Sequence, residues 1–531
     1  NLRPMAGKPL IYYSITACLK TPGIDEVVVT TDDEEIALFA RRFGADVVIR
    51  PDSLGDDSVT LDPVIRHALE ASEVQFARRF DYVVTVQPTS PLITTKELSG
   101  ALRMLKSREF DTVLSVVDDR HLCWTIVDGK QVPEYTDRIN RQFLPPRYRE
   151  TGAIIACNRQ LLIETDSRIG TNVGLLEVEQ DKSFDIDTVS DFMLCENLLR
   201  RKRVVFRVIG NQSVGMGHAY RALMVANELV GHNLLFLCTE DHKLAADFIA
   251  SKNFVSRVCL QDSVLDEIDD FDADLVINDI LDTDAAYMQA LRDRNIASVN
   301  FEDLGPGMNL ADLVINALYP PSSPMHNVES GPDYFCLRDE FEHRGPEPTM
   351  PDPGEVLLCF GGVDEGNLSL RVLEAIFEHC ETLDMHVTIV IGSGYMHRTS
   401  LDAALVRLGT ARIALVTATA AISEYMTRAC FAITSGGRTV FELASLKTPC
   451  IVICQNDRET THHFGPDESG VLNLGHRDLV ADKDISKAFL HLATNPETLQ
   501  AMRNSLSQRD FSSGKSRVIS LLRDILEGTD E

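Results

Sequence analysis

Phe184-Asp185-Ile186-Asp187-Thr188 opens the stretch that decides how this chain is divided. A helical pattern follows and ends in Arg200-Arg201-Lys202-Arg203; then come Val204-Val205-Phe206-Arg207-Val208-Ile209 and Gly215-Met216-Gly217-His218-Ala219-Tyr220-Arg221. Cations at the end of a helix complement the negative end of its dipole, so the basic run reads as a helix terminus and linker. The apolar run behind it has strand character and leads through a glycine loop into another helix, the start of a fresh α/β unit. The stretch is a joint between two folded parts.

Upstream of the joint, strand and helix patterns alternate. Helices are expected at 9–19, 34–43, 61–79 and 95–107, and strands at 27–31, 46–49, 82–86 and 112–117. Such alternation predicts a mostly parallel sheet with helices on both faces, and ligands at the carboxyl ends of its strands. Downstream, strands are expected at 204–209, 234–238, 275–279, 297–301 and 313–316. A proline-rich connector at 345–354 precedes further strands at 355–360, 386–391, 413–416, 431–434 and 450–454. Two Rossmann-like halves joined by a proline hinge place a ligand in the cleft between them. Three helical segments, at 485–493, 497–507 and 514–527, close the chain, the last suited to cross back to the first half.

Composition narrows the partners. At 531 residues the chain exceeds a single core, and its net charge of -29 argues against nucleic acid or an anionic membrane surface. No apolar run approaches the roughly 18 residues of a membrane span. The 12 cysteines include no CxxC pair and read as reduced core thiols of a cytoplasmic protein without a signal peptide.

Several short constellations carry chemistry. Gln87-Pro88-Thr89-Ser90-Pro91-Leu92 is either a rigid polar patch for a small ligand or a turn and cap for the next helix. Arg141-Gln142 and Arg147-Tyr148-Arg149 are an anion site or a solvated face. Asp185 and Asp187 alternate with apolar neighbours, so a short strand would project both to one face, where they could share a divalent cation; helix caps are the other reading. Thr434-Ser435-Gly436-Gly437-Arg438-Thr439 follows a strand and opens a helix, which suits a diphosphate. Glu442, one turn in, could accept a ribose hydroxyl, or pair with Thr439 as a cap. His218, at a glycine loop and helix start, is a candidate base or a structural residue. His462-His463 lacks a suitably spaced further ligand and reads as a surface helix.

The first set of motifs, with Asn1-Leu2-Arg3-Pro4, Gly7-Lys8-Pro9-Leu10, Val29-Thr30-Thr31-Asp32, Arg50-Pro51 and Thr151-Gly152-Ala153, resembles the CMP-sugar synthetases, the acylneuraminate cytidylyltransferases. The resemblance covers residues 1–198 and implies a nucleotidyltransferase Rossmann-like domain that joins CTP to a nonulosonic acid. It implies that Asn1, Gln87, Thr89, Ser90, Arg141 and Gln142 contact substrates, that Asp185 and Asp187 hold Mg2+, and that the domain forms a homodimer or larger assembly. The family's triphosphate loop would lie upstream of Asn1 and is not in this sequence, and an arginine usual after the Pro-Leu is Ile93.

Gly215-Met216-Gly217-His218 with Arg221, Phe360-Gly361-Gly362-Val363-Asp364 with Asn367, and Ser435-Gly436-Gly437 with Glu442 resemble the PseG/SpsG-type UDP-sugar hydrolases, relatives of the MurG glycosyltransferases. This implies a GT-B pair of Rossmann-like domains, 203–346 and 353–531, and hydrolysis of a UDP-2,4-diacetamido-2,4,6-trideoxyhexose without a metal. His218 would activate water. Gly217, Arg221, Gly361, Gly362, Ser435, Gly436, Gly437, Thr439, Glu442 and Asn456 would line the substrate. The expectation is an α/β bifunctional enzyme. Its rivals are a glycosyltransferase in the second part and a non-catalytic binding or dimerisation module in the first.

Overall fold

The computed structural model describes residues 1–56, 58–320, 325–342, 351–392, 394–464 and 470–528. The chain forms two compact units, Asn1–Arg201 and Lys202–Glu531, so the division falls inside the basic run. Arg200 caps the helix Val189–Leu199 and pairs with Glu196 one turn back.

In the first unit the largest sheet has four strands, in the order Val173–Glu177, Thr112–Asp118, Tyr148–Asn158 and Tyr82–Val86. It is mixed rather than mostly parallel. Tyr148–Asn158 runs antiparallel to both neighbours, and only Val173–Glu177 pairs in parallel. The long strand begins in the exposed Arg147–Arg149 cluster, whose charges hide its strand character; its apolar half, Ala153, Ile154, Ala156 and Cys157, is buried. Val28–Thr31 and Asp46–Ile49 pair separately as a parallel two-stranded sheet. A hairpin, Trp124–Val127 with Lys130–Pro133, stands out with Trp124, Ile126 and Val127 exposed.

The second unit contains two all-parallel sheets. The first has seven strands in the order Ser256–Cys259, Asn233–Thr239, Arg203–Val208, Leu275–Asp279, Ala297–Phe301, Leu313–Asn316 and Val328–Ser330. The second has six, in the order Ile413–Thr417, His386–Ile391, Asp352–Cys359, Ala429–Thr434, Cys450–Cys454 and Val471–His476. In each, the first strand in sequence lies beside the fourth, so the winding reverses there. Ligand crevices form at such switch points. The two sheets are the Rossmann-like pair of a GT-B fold.

Strands buried on both faces read as continuous apolar runs, which is why most of these were legible. Val204, Phe206 and Val208 pack on the helix Gly217–Asn227, and Val205 packs on the opposite side with Val276 and Leu291. The helix Gly514–Gly528 returns to the first half and buries Val518, Ile519, Leu522 and Leu526 in its core. Each such side chain contributes about 1.5–3 kcal/mol of apolar burial. Gly514 permits this docking, because a Cβ there would lie 2.2 Å from the Phe335 carbonyl oxygen. Of the proline-rich connector, residues 343–350 lie outside the described residues, and Asp352–Gly354 already belongs to a strand. Eleven of the 12 cysteines are buried and all are free thiols.

Candidate active sites

In the second unit both switch points carry the glycine loops. Arg203–Val208 ends at the loop before Gly217–Asn227, and its neighbour Leu275–Asp279 ends on Asp279, which faces that loop. His218 Nδ1 lies 2.6 Å from Asp279 Oδ1, leaving Nε2 as the free ring nitrogen. Arg221, one turn further along the helix, donates from Nε and Nη2 to both oxygens of Asp279, at 2.8 and 2.6 Å, and from Nη1 to Glu302 at 2.9 Å. Burial opposes the charge on Asp279, but Arg221 and then His218 prevail and hold it well below the usual carboxylate range. Burial pushes Glu302 up. Arg221 is therefore a buried support for Asp279 rather than a residue open to substrate. Asp279 and Glu302 went unread in the sequence, since each is a single acid at the end of an apolar strand.

The second switch point faces the first. A Cβ on Gly217 would lie 3.3 Å from Arg438 Cδ, and one on Gly215 would lie 3.9 Å from Val363. The loops Gly215–Gly217, Gly361-Gly362 and Ser435–Gly437 thus border one cleft. Arg438 donates to the Cys336 carbonyl at 2.8 Å and stacks on Phe335. Gly436 N–H donates to Glu459 Oε2 at 3.0 Å, as does Gln455 N–H at 2.7 Å, so a carboxylate rests on the glycine turn.

Other residues take places that spacing did not reveal. Glu442 is buried and paired with Arg338 at 2.8 Å, and neither Thr439 nor Glu442 makes a side-chain cap for the helix Thr439–Ser445. Asn456 caps the helix Asp457–Thr460 by accepting from Glu459 N–H, while Gln455 Nε2 reaches the Phe360 carbonyl at 2.9 Å. His462 is not on a surface helix. It follows that short helix, donating from Nδ1 to the Gly436 carbonyl at 2.7 Å with Nε2 3.2 Å from the Tyr319 hydroxyl.

In the first unit the Gln87–Ser90 turn is closed by Ser90 N–H on the Gln87 carbonyl, and Ile186 N–H donates to the Thr89 carbonyl at 3.0 Å. Phe184–Thr188 is not a strand. That single bond ties it to the turn, with no ladder behind it. Neither the Gln87–Ser90 turn nor Asp185 and Asp187 supply a cap: Thr94 with Glu97 caps the helix Thr95–Lys106, and Thr188 with Asp191 caps Val189–Leu199. Gly152, at φ +70°, bends the long strand beside them. A Cβ there would lie 3.9 Å from both Asp185 Oδ2 and Gln87 Nε2. Asp185 Oδ1 and Ser90 Oγ are buried without a hydrogen-bond partner, and Asp187 is exposed. Arg141 and Gln142 are exposed on a 3-10 turn, with Arg141 close enough to help hold the Asp118 carboxyl down behind the stronger effect of Arg120. Asn1 is exposed and its carbonyl accepts from Ile11 N–H at 3.0 Å; Ile93 is a core residue.

One unit thus presents a small polar turn at a strand end, and the other a cleft between two sheets with an Asp-supported histidine. Residues 1–207 match the cytidylyltransferase family, and residues 356–518 match the glycosyltransferase family 28 C-terminal domain. The chain is a fusion of these two kinds of domain. Among curated relatives, post-translational flagellin modification protein B of Campylobacter coli is 28% identical over 210 residues, 38% of this chain and 89% of that protein. The CMP-N,N'-diacetyllegionaminic acid synthase of Campylobacter jejuni subsp. jejuni has the same identity and coverage, 28% over 210 residues, 38% and 89%. Spore coat polysaccharide biosynthesis protein SpsG of Bacillus subtilis is 26% identical over 334 residues, 60% of this chain and 97% of that protein. Among the described residues, no helix is long and apolar enough to cross a membrane.

Proposed function

We propose that the chain is a bifunctional enzyme of nonulosonic sugar metabolism. Its first unit activates a nonulosonic acid with CTP and its second hydrolyses a UDP-linked N-acylated hexose. The observation that carries the second half is the His218–Asp279 pair at a switch point, across from the Ser435–Gly437 loop of the facing sheet. Asp279 orients the ring so that Nε2 takes a proton from water as the water oxygen attacks the anomeric carbon with inversion. UDP departs as the leaving group, held by backbone groups of the glycine loops. Incubation with a UDP-sugar and no acceptor tests this, since a hydrolase liberates free sugar whereas a glycosyltransferase does not. Transfer to an acceptor is the second reading, favoured by the family 28 match.

For the first unit, the convergence of Gln87, Gly152 and Asp185 supports a substrate site. The partnerless buried oxygen of Asp185 fits a divalent cation, which Asp185 and exposed Asp187 would hold. Bound Mg2+ would neutralise triphosphate charge. Gln87, Thr89 and Ser90 would bind nucleotide or sugar hydroxyls, and Arg141 the sugar carboxylate. Pyrophosphate release from CTP and a nonulosonic acid is the test, and its absence would return this unit to a binding role. The exposed Trp124, Ile126 and Phe143 support self-association through the same unit.

A further inference from the structure

Arg207 interrupts the apolar run 204–208. It shares a sheet face with Val205, where the core is built from Leu235, Leu237, Val276 and Tyr287, and it is 9% exposed. Its Nη2 donates to Gln261 Oε1 at 3.2 Å and its guanidinium lies 4.4 Å from the centre of the Tyr287 ring. It forms no ion pair with a carboxylate among the described residues. A buried guanidinium without a carboxylate is costly to keep, and a hydrophobic residue would serve the strand better.

The guanidinium borders a cavity of about 230 Å³ at the strand ends. One side offers donors. His242 Nδ1 accepts from Gly210 N–H at 3.3 Å, and burial holds this histidine below its usual range, so the other ring nitrogen carries the proton. Asp282, whose Oδ1 accepts from Leu304 N–H and Arg458, and Asp284, which caps the next helix, also line the cavity. Ile209, Val264 and Ile280 supply an apolar wall. The cavity adjoins the His218 site, because Ile280 follows Asp279, whose carboxylate holds the His218 ring. A sugar with its anomeric carbon at His218 would point a ring substituent into it.

We propose that this cavity is a sugar subsite in which Arg207 hydrogen-bonds the oxygen of a planar acyl group, an N-acyl amide or a carboxylate, carried by the hexose. The proposal rests on the UDP-sugar reading above. A guanidinium fork matches a planar acyl oxygen in a way it does not match a hydroxyl. The apolar wall suits an acyl methyl, and the two aspartates suit an amide N–H.

Calorimetry on the full chain with UDP, UDP-glucose, UDP-N-acetylglucosamine and UDP-glucuronate tests the proposal, using wild type, Arg207→Met and Arg207→Lys. At least one acyl sugar should bind about tenfold or more tighter than UDP-glucose. That ratio should fall towards one in Arg207→Met and part-way in Arg207→Lys, which keeps the charge without the fork. Which acyl sugar is preferred separates amide from carboxylate. No preference in wild type, or a preference untouched by both variants, overturns the proposal; should the Met variant fail to fold, the wild-type ratio and the Lys variant decide. If UDP itself does not bind, the nucleotide reading falls. Free N-acetylglucosamine, glucuronate and glucose, followed by thermal shift at matched ionic strength, then judge the cavity alone. A shift by an acyl sugar that Arg207→Lys weakens upholds the subsite, and no shift overturns it.

Discussion

Asp279 Oδ1 stands 2.6 Å from His218 Nδ1 and 2.6 Å from Arg221 Nη2, so one buried carboxylate both orients the candidate base and is held in place by a cation. Asp279→Asn should lower UDP-sugar hydrolysis by about 10²–10⁴-fold, the usual contribution of a positioned base, while the KM changes far less. A rate–pH profile that keeps its shape and height in the variant would remove Asp279 from the site. Because the folded carboxyl is held below its ordinary range, the charge contributes stability above about pH 4 and loses it as pH falls towards the folded value.

Arg221 supports two acids at once. Replacing it with Met leaves Asp279 and Glu302 buried without their cation, which costs about 3–5 kcal/mol when a buried pair is broken. Urea unfolding of the full chain, followed by a probe in the second unit, should show that loss. A change under about 1 kcal/mol would mean that water or backbone already satisfies the acids.

His462 links the glycine turn to Tyr319, and burial pushes its proton affinity down. A histidine depressed in the fold takes up its proton on unfolding, so its contribution is present above about pH 6.5 and is lost as pH falls below that. The thermal midpoint of the second unit should drop between pH 7 and 5. His462→Gln preserves a donor for Gly436 and an acceptor for Tyr319 but cannot titrate, and should flatten that slope; an unchanged slope would assign it to other groups such as His242.

In the first unit, Asp185→Asn should reduce cytidylyl transfer by at least about 10²-fold and leave UDP-sugar hydrolysis intact. Chelation of divalent cations with EDTA should act likewise, abolishing transfer and sparing hydrolysis. Inhibition of both activities by EDTA would contradict a metal confined to one unit.

Ile126 is exposed on the hairpin beside Trp124, and a charge there would disfavour an apolar interface. Sedimentation should show a dimer for the wild type that dissociates in Ile126→Asp. A monomer in both cases would end the self-association reading.

Much of the fold was legible because it is written locally. The runs at 275–279, 297–301, 386–391 and 450–454 became strands with the expected limits, since a strand covered on both faces is largely apolar. Tyr148–Asn158 escaped notice because its first three residues are exposed and polar, and Val173–Glu177 because its side chains are only partly covered. The glycine loops and His218 announced themselves by spacing. Asp279, Glu302 and Arg338 did not, because an acid or arginine at a strand end or linker looks the same whether its partner is water or a group a hundred residues away.

The amino-acid order alone therefore determined the succession of α/β units, the position of the joint and the glycine loops that border the cleft. These follow from periodicity, glycine and the apolar content of short segments. The tertiary structure decided which side chains share a charge. Asp279 was given to His218 and Arg221, Glu442 to Arg338, Glu459 to the Gly436 turn, and Arg207 to a cavity wall where, among the described residues, it makes no ion pair. Coulombic and hydrogen-bond partnerships depend on distances between residues far apart in the chain, and those distances exist only once the sheets have wound and packed.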